Sequence, residues 1–224
     1  MEQRKLLTIG TSNLRRLRLQ QNHSLRAKFR IQQIINKGWI DPEKLEQQIQ
    51  ELNSRFDVIL FHSGNWLYPT RPHWDHFCLK RWDLGEAAKY IEKLINIMEK
   101  YATLVVITET HPRSLQNPKR CESFNAGTQL RFRRIVKKLL LDGVLTGNVR
   151  FLGFATLIKD YFYRIGERTL PWRHMGEEFS KRFLTFSEIH LGEEGNDILQ
   201  DLTATHLVRI SQNYFTSHWI KNAV

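Results

Sequence analysis

Two residues near opposite ends of the chain have the chemistry to work as a pair. Ser12 follows a short apolar run, Leu6-Leu7-Thr8-Ile9, and the turn residues Gly10-Thr11. A glycine after a buried strand lets the backbone turn sharply. A serine just beyond that turn sits at the rim of a sheet, where the free N–H groups of a following helix favour negative charge on a bound oxygen. His190 lies in Ser187-Glu188-Ile189-His190-Leu191-Gly192, ahead of the last helical pattern. Its imidazole can take a proton from a hydroxyl if that helix packs beside the first strand. Taken singly, each is also what a turn serine or a structural histidine looks like. Arg15 and Arg16 follow the serine, either to hold an anionic group or as solvated helix residues. His62, His73, His76 and His111 are rim candidates with an equally ordinary structural reading. His73 and His76 flank Asp75 at a spacing that suits a metal, but their Pro-rich loop offers no further ligand, so neither metal nor other cofactor is expected.

Positioning these residues requires strands that end at one rim. Segments 6–9, 58–61, 104–108 and 149–154 are apolar runs closed by Gly, polar or turn residues, the pattern of strands buried on both faces. Helical periodicity occupies about 41–53, 84–101, 128–141 and 194–215. Asp41-Pro42 supplies a capping side chain and a proline suited to a first turn. Strands alternating with helices predict an α/β fold: a three-layer α/β/α sandwich with a mostly parallel, flavodoxin-like sheet. Ligands in such sheets bind beyond the carboxyl ends of the strands. No repeat or low-complexity linker divides residues 1–224, so a single domain is expected.

The 224 residues suffice for one substantial core, and a 41% hydrophobic content argues against disorder. No run of eighteen apolar residues predicts a membrane span, and the N-terminal apolar stretch is too short for a signal peptide. The chain therefore reads as cytoplasmic, or as a domain cut from a longer protein. Cys78 and Cys121 do not make a disulfide framework and read as free thiols, with one bridge left open. A net charge of +11 favours polyanions without choosing among nucleic acid, anionic lipid and acidic polysaccharide.

Taken in order, these features resemble the SGNH/GDSL hydrolases over nearly the whole chain. Gly10-Thr11-Ser12 is similar to the family's Gly-Asp-Ser. Asn36-Lys37-Gly38 resembles the second block, whose glycine donates a backbone N–H to the oxyanion hole. His62-Ser63-Gly64-Asn65-Trp66, ending the 57–61 run, resembles the third block, and Ser187-Glu188-Ile189-His190 falls on the final Asp-x-x-His. Asn125 resembles the asparagine ahead of the penultimate helix. The PC-esterase group, which includes plant cell-wall O-acetyltransferases, is the nearest in flavour: Gly10 to Arg15 is similar to its Gly-Asp-Ser-x-x-Arg, Gly64-Asn65-Trp66 to its Gly-x-Trp, and Thr108-Glu109-Thr110-His111-Pro112 to its Thr-x-x-Pro segment.

The resemblance implies a serine esterase or O-acyltransferase acting on an ester, acidic or glycan-linked. Ser12 is its nucleophile and His190 its base. Ser12, Gly38 and Asn65 form the oxyanion hole, and Arg15, Gly64, Trp66 and His111 lie around the substrate. The departures are specific. Thr11 replaces the family Asp, Trp66 stands at the block-three Asn with Asn65 beside it, and Ser187 stands where the triad Asp is expected. That carboxylate fixes the imidazole tautomer and stabilises the imidazolium. Glu188 can substitute for it, a backbone carbonyl can orient the ring, or the fold has lost catalysis and is a binding module for a polyanion, glycan or protein. A nucleic-acid binder rests on charge alone, without an aromatic RNA-binding motif. A nucleotide-binding doubly wound fold lacks its GxGxxG or Walker sequence.

Overall fold

The interior strands are apolar on successive residues, because helices cover the sheet on both faces. The computed structural model describes residues 3–36, 40–62, 84–109, 126–145, 147–183 and 191–222. Five strands, β1 (Arg4–Gly10), β2 (Phe29–Ile35), β3 (Phe56–His62), β4 (Ala102–Thr108) and β5 (Val149–Leu152), form one parallel sheet in the order β2-β1-β3-β4-β5. Alternate residues feed opposite layers. Leu7, Ile9, Ile59, Phe61, Val105 and Ile107 face one core, and Leu6, Val58, Leu60, Leu104 and Val106 face the other.

The first core is covered by α3 (Pro42–Glu51), α4 (Leu84–Tyr101) and α5 (Ala126–Leu141), through Leu45, Ile49, Ile91, Leu94, Met98 and Leu139. The second is covered by α1 (Ser12–Leu17), α6 (Phe154–Arg164), α7 (Trp172–Phe183) and α8 (Glu193–Asn222), through Leu14, Leu17, Ile158, Phe162, Phe179 and Leu202. The short α2 (His23–Arg26) leads into β2. The three-layer α/β/α architecture expected from the alternation is therefore present. Asp41 caps α3 as its type predicts, its Oδ1 accepting from the N–H groups of Glu43 at 2.9 Å and Lys44 at 3.0 Å, with Pro42 in the first turn.

The differences from the sequence reading have local causes. β2 lacks a continuous apolar run because it is an edge strand; Arg30 is exposed and Gln32 and Gln33 are half-buried. The 149–154 segment is strand only to Leu152. Gly153 then caps α6, and Phe154 opens that helix fully buried, which an apolar run alone does not distinguish from strand. α8 continues beyond residue 215 to Asn222. Among the described residues, no helix is long and apolar enough to cross a membrane. Cys78, Cys121, His73, His76 and Asn125 lie outside the described residues.

Strand order decides where a ligand can enter. From β1 the chain steps outward to β2, then returns past β1 to β3, β4 and β5. The connections after β1 and β3 therefore diverge, and the crevice between their carboxyl ends is the switch point at which open α/β sheets bind ligands.

Candidate active site

β1 delivers Ser12 to that crevice. The strand ends at Gly10, Thr11 is extended (φ −114, ψ −162), and Ser12 is the first residue of α1. Gly10 is there for closeness: a Cβ on it would lie 2.8 Å from Leu14 Cβ and 3.1 Å from His62 Cβ. α1 buries Asn13, Leu14 and Leu17 and turns Arg15 and Arg16 outward. Residues three and four apart share a helix face, so half-buried Ser12 lies on the same face as the two arginines.

One other segment arrives beside this turn, and another packs against the far end of α1. The backbone N–H of Asn36, just past β2, donates to the Gly10 carbonyl at 2.8 Å. The start of α8 docks on α1: Gln200 Nε2 donates to the Arg18 carbonyl at 2.8 Å, and the exposed Arg18 and Glu193 side chains approach to 3.7 Å. The turn into α8 is held from within, because Asn196 Nδ2 donates to the carbonyls of Leu191 at 2.9 Å and Gly192 at 2.8 Å, while Gly192 N–H donates to the Phe183 carbonyl at 2.7 Å. Gly195 is again a matter of room, since a Cβ there would come within 2.6 Å of Phe183 Cβ. Between α1 and this turn lies an open cleft of about 440 Å³, lined by Arg15, Arg16, Arg18, Leu191, Gly192, Glu193 and Asn196.

Beneath the cleft is a smaller polar cavity of about 10 Å³, lined by Asn13, Leu17, His62, Thr108, Glu109, Phe154, Leu157, Asn196, Leu199 and Thr203. That is room for about one water molecule. His62 ends β3 and is 4% exposed. Burial pushes its pKa down to about 4, so its ring is neutral at neutral pH, and Nδ1 has no hydrogen-bond partner among the described residues. Glu109, one residue past β4, is also buried; its Oε1 accepts from the Phe154 N–H at 2.6 Å, at the amino end of α6. A carboxylate there meets both an unsatisfied donor and the positive end of the helix dipole.

Of the sequence-nominated residues, Ser12 and Arg15 stand in this arrangement. Gly38, Gly64, Asn65, Trp66, His111, Ser187, Glu188 and His190 lie outside the described residues. The described neighbour Asn36 comes to the Gly10 end of the Ser12 turn, and Leu191 lines the cleft with Arg15, Arg16 and Arg18. His62, offered as a rim residue, instead turns inward to the cavity. Asn13, Glu109 and Asn196 were not singled out as site residues. Glu109 did carry a signal, an acidic residue directly after an apolar strand.

The architecture has solved counterparts. A Bacillus subtilis protein, YxiM, superposes with a TM-score of 0.58 at 14% identity, over 93% of this chain and 57% of its own. An acetylxylan esterase, Axe2, from Geobacillus stearothermophilus gives a TM-score of 0.53 at 14% identity, over 89% of this chain and 92% of its own. A carbohydrate esterase family 3 protein from Talaromyces cellulolyticus gives 0.53 at 11% identity, over 93% and 98%. The fold is that of the SGNH hydrolases. This chain thus spans little more than half the length of the Bacillus subtilis protein, but nearly all of the two esterases. No protein-family model matches the chain, and no curated protein matches its sequence. At such identities the SGNH fold is what is shared, and the chemistry must be argued from this chain's own residues.

Proposed function

We propose that this protein is a serine esterase or O-acyltransferase of the SGNH type, within the PC-esterase group, with Ser12 as nucleophile and His190 as general base. One observation carries the reading: Ser12 lies at the switch point of the sheet, and Leu191, covalently next to His190, lines the cleft beside the Ser12 helix.

Ser12 Oγ attacks the ester carbonyl while His190 Nε2 accepts its proton. The oxyanion is held by the N–H groups of Ser12 and Gly38 and the side-chain amide of Asn65. Each such donor is worth roughly 3–4 kcal/mol of barrier. His190 then protonates the departing alcohol, and the acyl group on Ser12 passes to water or to a sugar hydroxyl. Glu188 orients the imidazole where Ser187 replaces the usual aspartate. Gly64, Trp66 and His111 contribute to the substrate side, together with Arg15. The Asn36–Gly10 hydrogen bond supports the role of Gly38, two residues further along. By its likeness to esterases named for acetylated xylan and carbohydrate, an acetylated glycan is the substrate class proposed. The whole chain acts as one domain.

Ser12→Ala tests the reading. Hydrolysis of a short-chain aryl ester by the wild type is expected to fall by at least about a thousandfold, as when a triad nucleophile is removed. Turnover unchanged by the substitution removes Ser12 from the chemistry. The second reading, a binding module that has lost catalysis, is favoured by Ser187 at the triad-acid position. A fluorophosphonate probe that labels Ser12 argues against it.

A further inference from the structure

We infer that the cleft between α1 and α8 is a binding site for an oxyanion carried by the ester substrate itself: a carboxylate, sulfate or phosphate gripped by Arg15 and Arg16. The identity of the ligand as a substrate rests on the esterase reading above; the anion site does not.

Among the described residues, the cleft is lined by three guanidinium groups and one carboxylate. Glu193 lies nearest Arg18, at 3.7 Å. Among the described residues, no carboxylate pairs with Arg15 or Arg16, which leaves two uncompensated positive charges facing open space of about 440 Å³. Arg182 shows the alternative, a helix arginine paired with an acidic residue one turn away, Glu178. α1 has no acidic residue at all.

Their direction is also constrained. Asn13, Leu14 and Leu17 must face the core, so Arg15 and Arg16 are held on the face that carries Ser12. A side chain three or four residues along a helix from the nucleophile is one turn, about 5 Å, away along its axis. That separation suits a charge a few bonds from the scissile ester. Guanidinium groups are planar forks that stay protonated and match oxyanions with paired N–H donors, a geometry lysine does not reproduce. Two of them on adjacent residues, beside a cleft whose one carboxylate among the described residues lies nearest Arg18, select for negative charge and against a cationic or neutral ligand.

The experiment compares esters and probes binding separately. Three substrates are used: 4-nitrophenyl acetate, an aryl acetate with a carboxylate on its ring, and a 4-nitrophenyl hemisuccinate. They place no charge, charge on the alcohol side and charge on the acyl side. In Arg15→Gln/Arg16→Gln, kcat/KM for one anionic ester relative to the neutral one is expected to fall about tenfold, mainly through KM. Arg15→Lys/Arg16→Lys should recover only part of it. The ester that responds identifies which side carries the anion. A ratio unchanged within about twofold for both anionic esters overturns the proposal.

In parallel, inorganic pyrophosphate is titrated calorimetrically at constant ionic strength into wild type, Ser12→Ala and the double glutamine variant. Binding in the first two and its loss in the third is expected. Equal binding by all three, or none by the wild type, overturns the anion site. If Ser12→Ala hydrolyses every ester as the wild type does, the esterase reading fails, while the pyrophosphate titration still decides the site. Both arginines are exposed, so the variants leave the core intact, and a matched far-UV melting curve verifies this.

Discussion

A histidine at the end of β3 that cannot afford a proton gives the protein an acid-sensitive point. Folded His62 has a pKa of about 4 against 6.5 for a free histidine, because burial penalises the charged ring. Between those two values the unfolded chain binds more protons than the folded one. The contribution is therefore fully present above about pH 6.5 and is lost as pH falls toward 4, by an amount on the order of 3 kcal/mol. Urea unfolding of wild type and His62→Gln at pH 7, 5.5 and 4 checks this: the variant should lose less stability on acidification, and parallel losses would sink the assignment. Ser12 was legible in the sequence because a buried run and a glycine fixed its neighbourhood locally. The inward burial of His62 and Glu109 was not, because what buries them, Phe154, Leu199 and Thr203 of α6 and α8, comes from residues 45 or more positions away.

At the scale of elements, local chemistry and tertiary packing divide the credit unevenly. α3 starts where Asp41 says it must, and two backbone N–H groups depend on that one carboxylate. Asp41→Ala should cost about 1 kcal/mol and lower the melting temperature. Asp41→Asn, still a capping residue, should restore most of it, and identical melting of all three would show the cap to be inert. The interior strands were legible because burial on both faces leaves no polar interruption, as in Val58-Ile59-Leu60-Phe61. β2 was not, since Gln32 and Gln33 interrupt an edge strand whose identity depends on pairing with β1. α6 carries a helical stripe, Phe154, Leu157, Ile158 and Phe162, but its first residue extends the apolar run of β5 and hides the boundary. α1, at six residues, is too short for periodicity to register.

For the whole molecule, the α8 helix ties distant parts together. Near its amino end Gln200 grips α1; further along, the Tyr214 hydroxyl donates to Asn148 Oδ1 at 2.7 Å and the Thr103 carbonyl at 3.2 Å, at the opposite ends of β4 and β5. An element packed across both ends of a sheet should melt with it. Far-UV and near-UV circular dichroism are expected to report one coincident unfolding transition, and a separate early transition would show that α8 or another layer opens on its own. The fold class was legible from alternation alone, whereas this long-range bracing was not, because no local pattern in 193–222 names its partners. The bracing also sets an order of events on the ribosome. One wall of the 440 Å³ cleft is made with α1, which begins at Ser12, and the other with the helix that begins at Glu193. At ordinary elongation rates the two emerge on the order of ten to forty seconds apart. A nascent chain thus carries its serine through that interval with no opposing wall, and whatever the cleft does begins only once the helix that starts at Glu193 has been made.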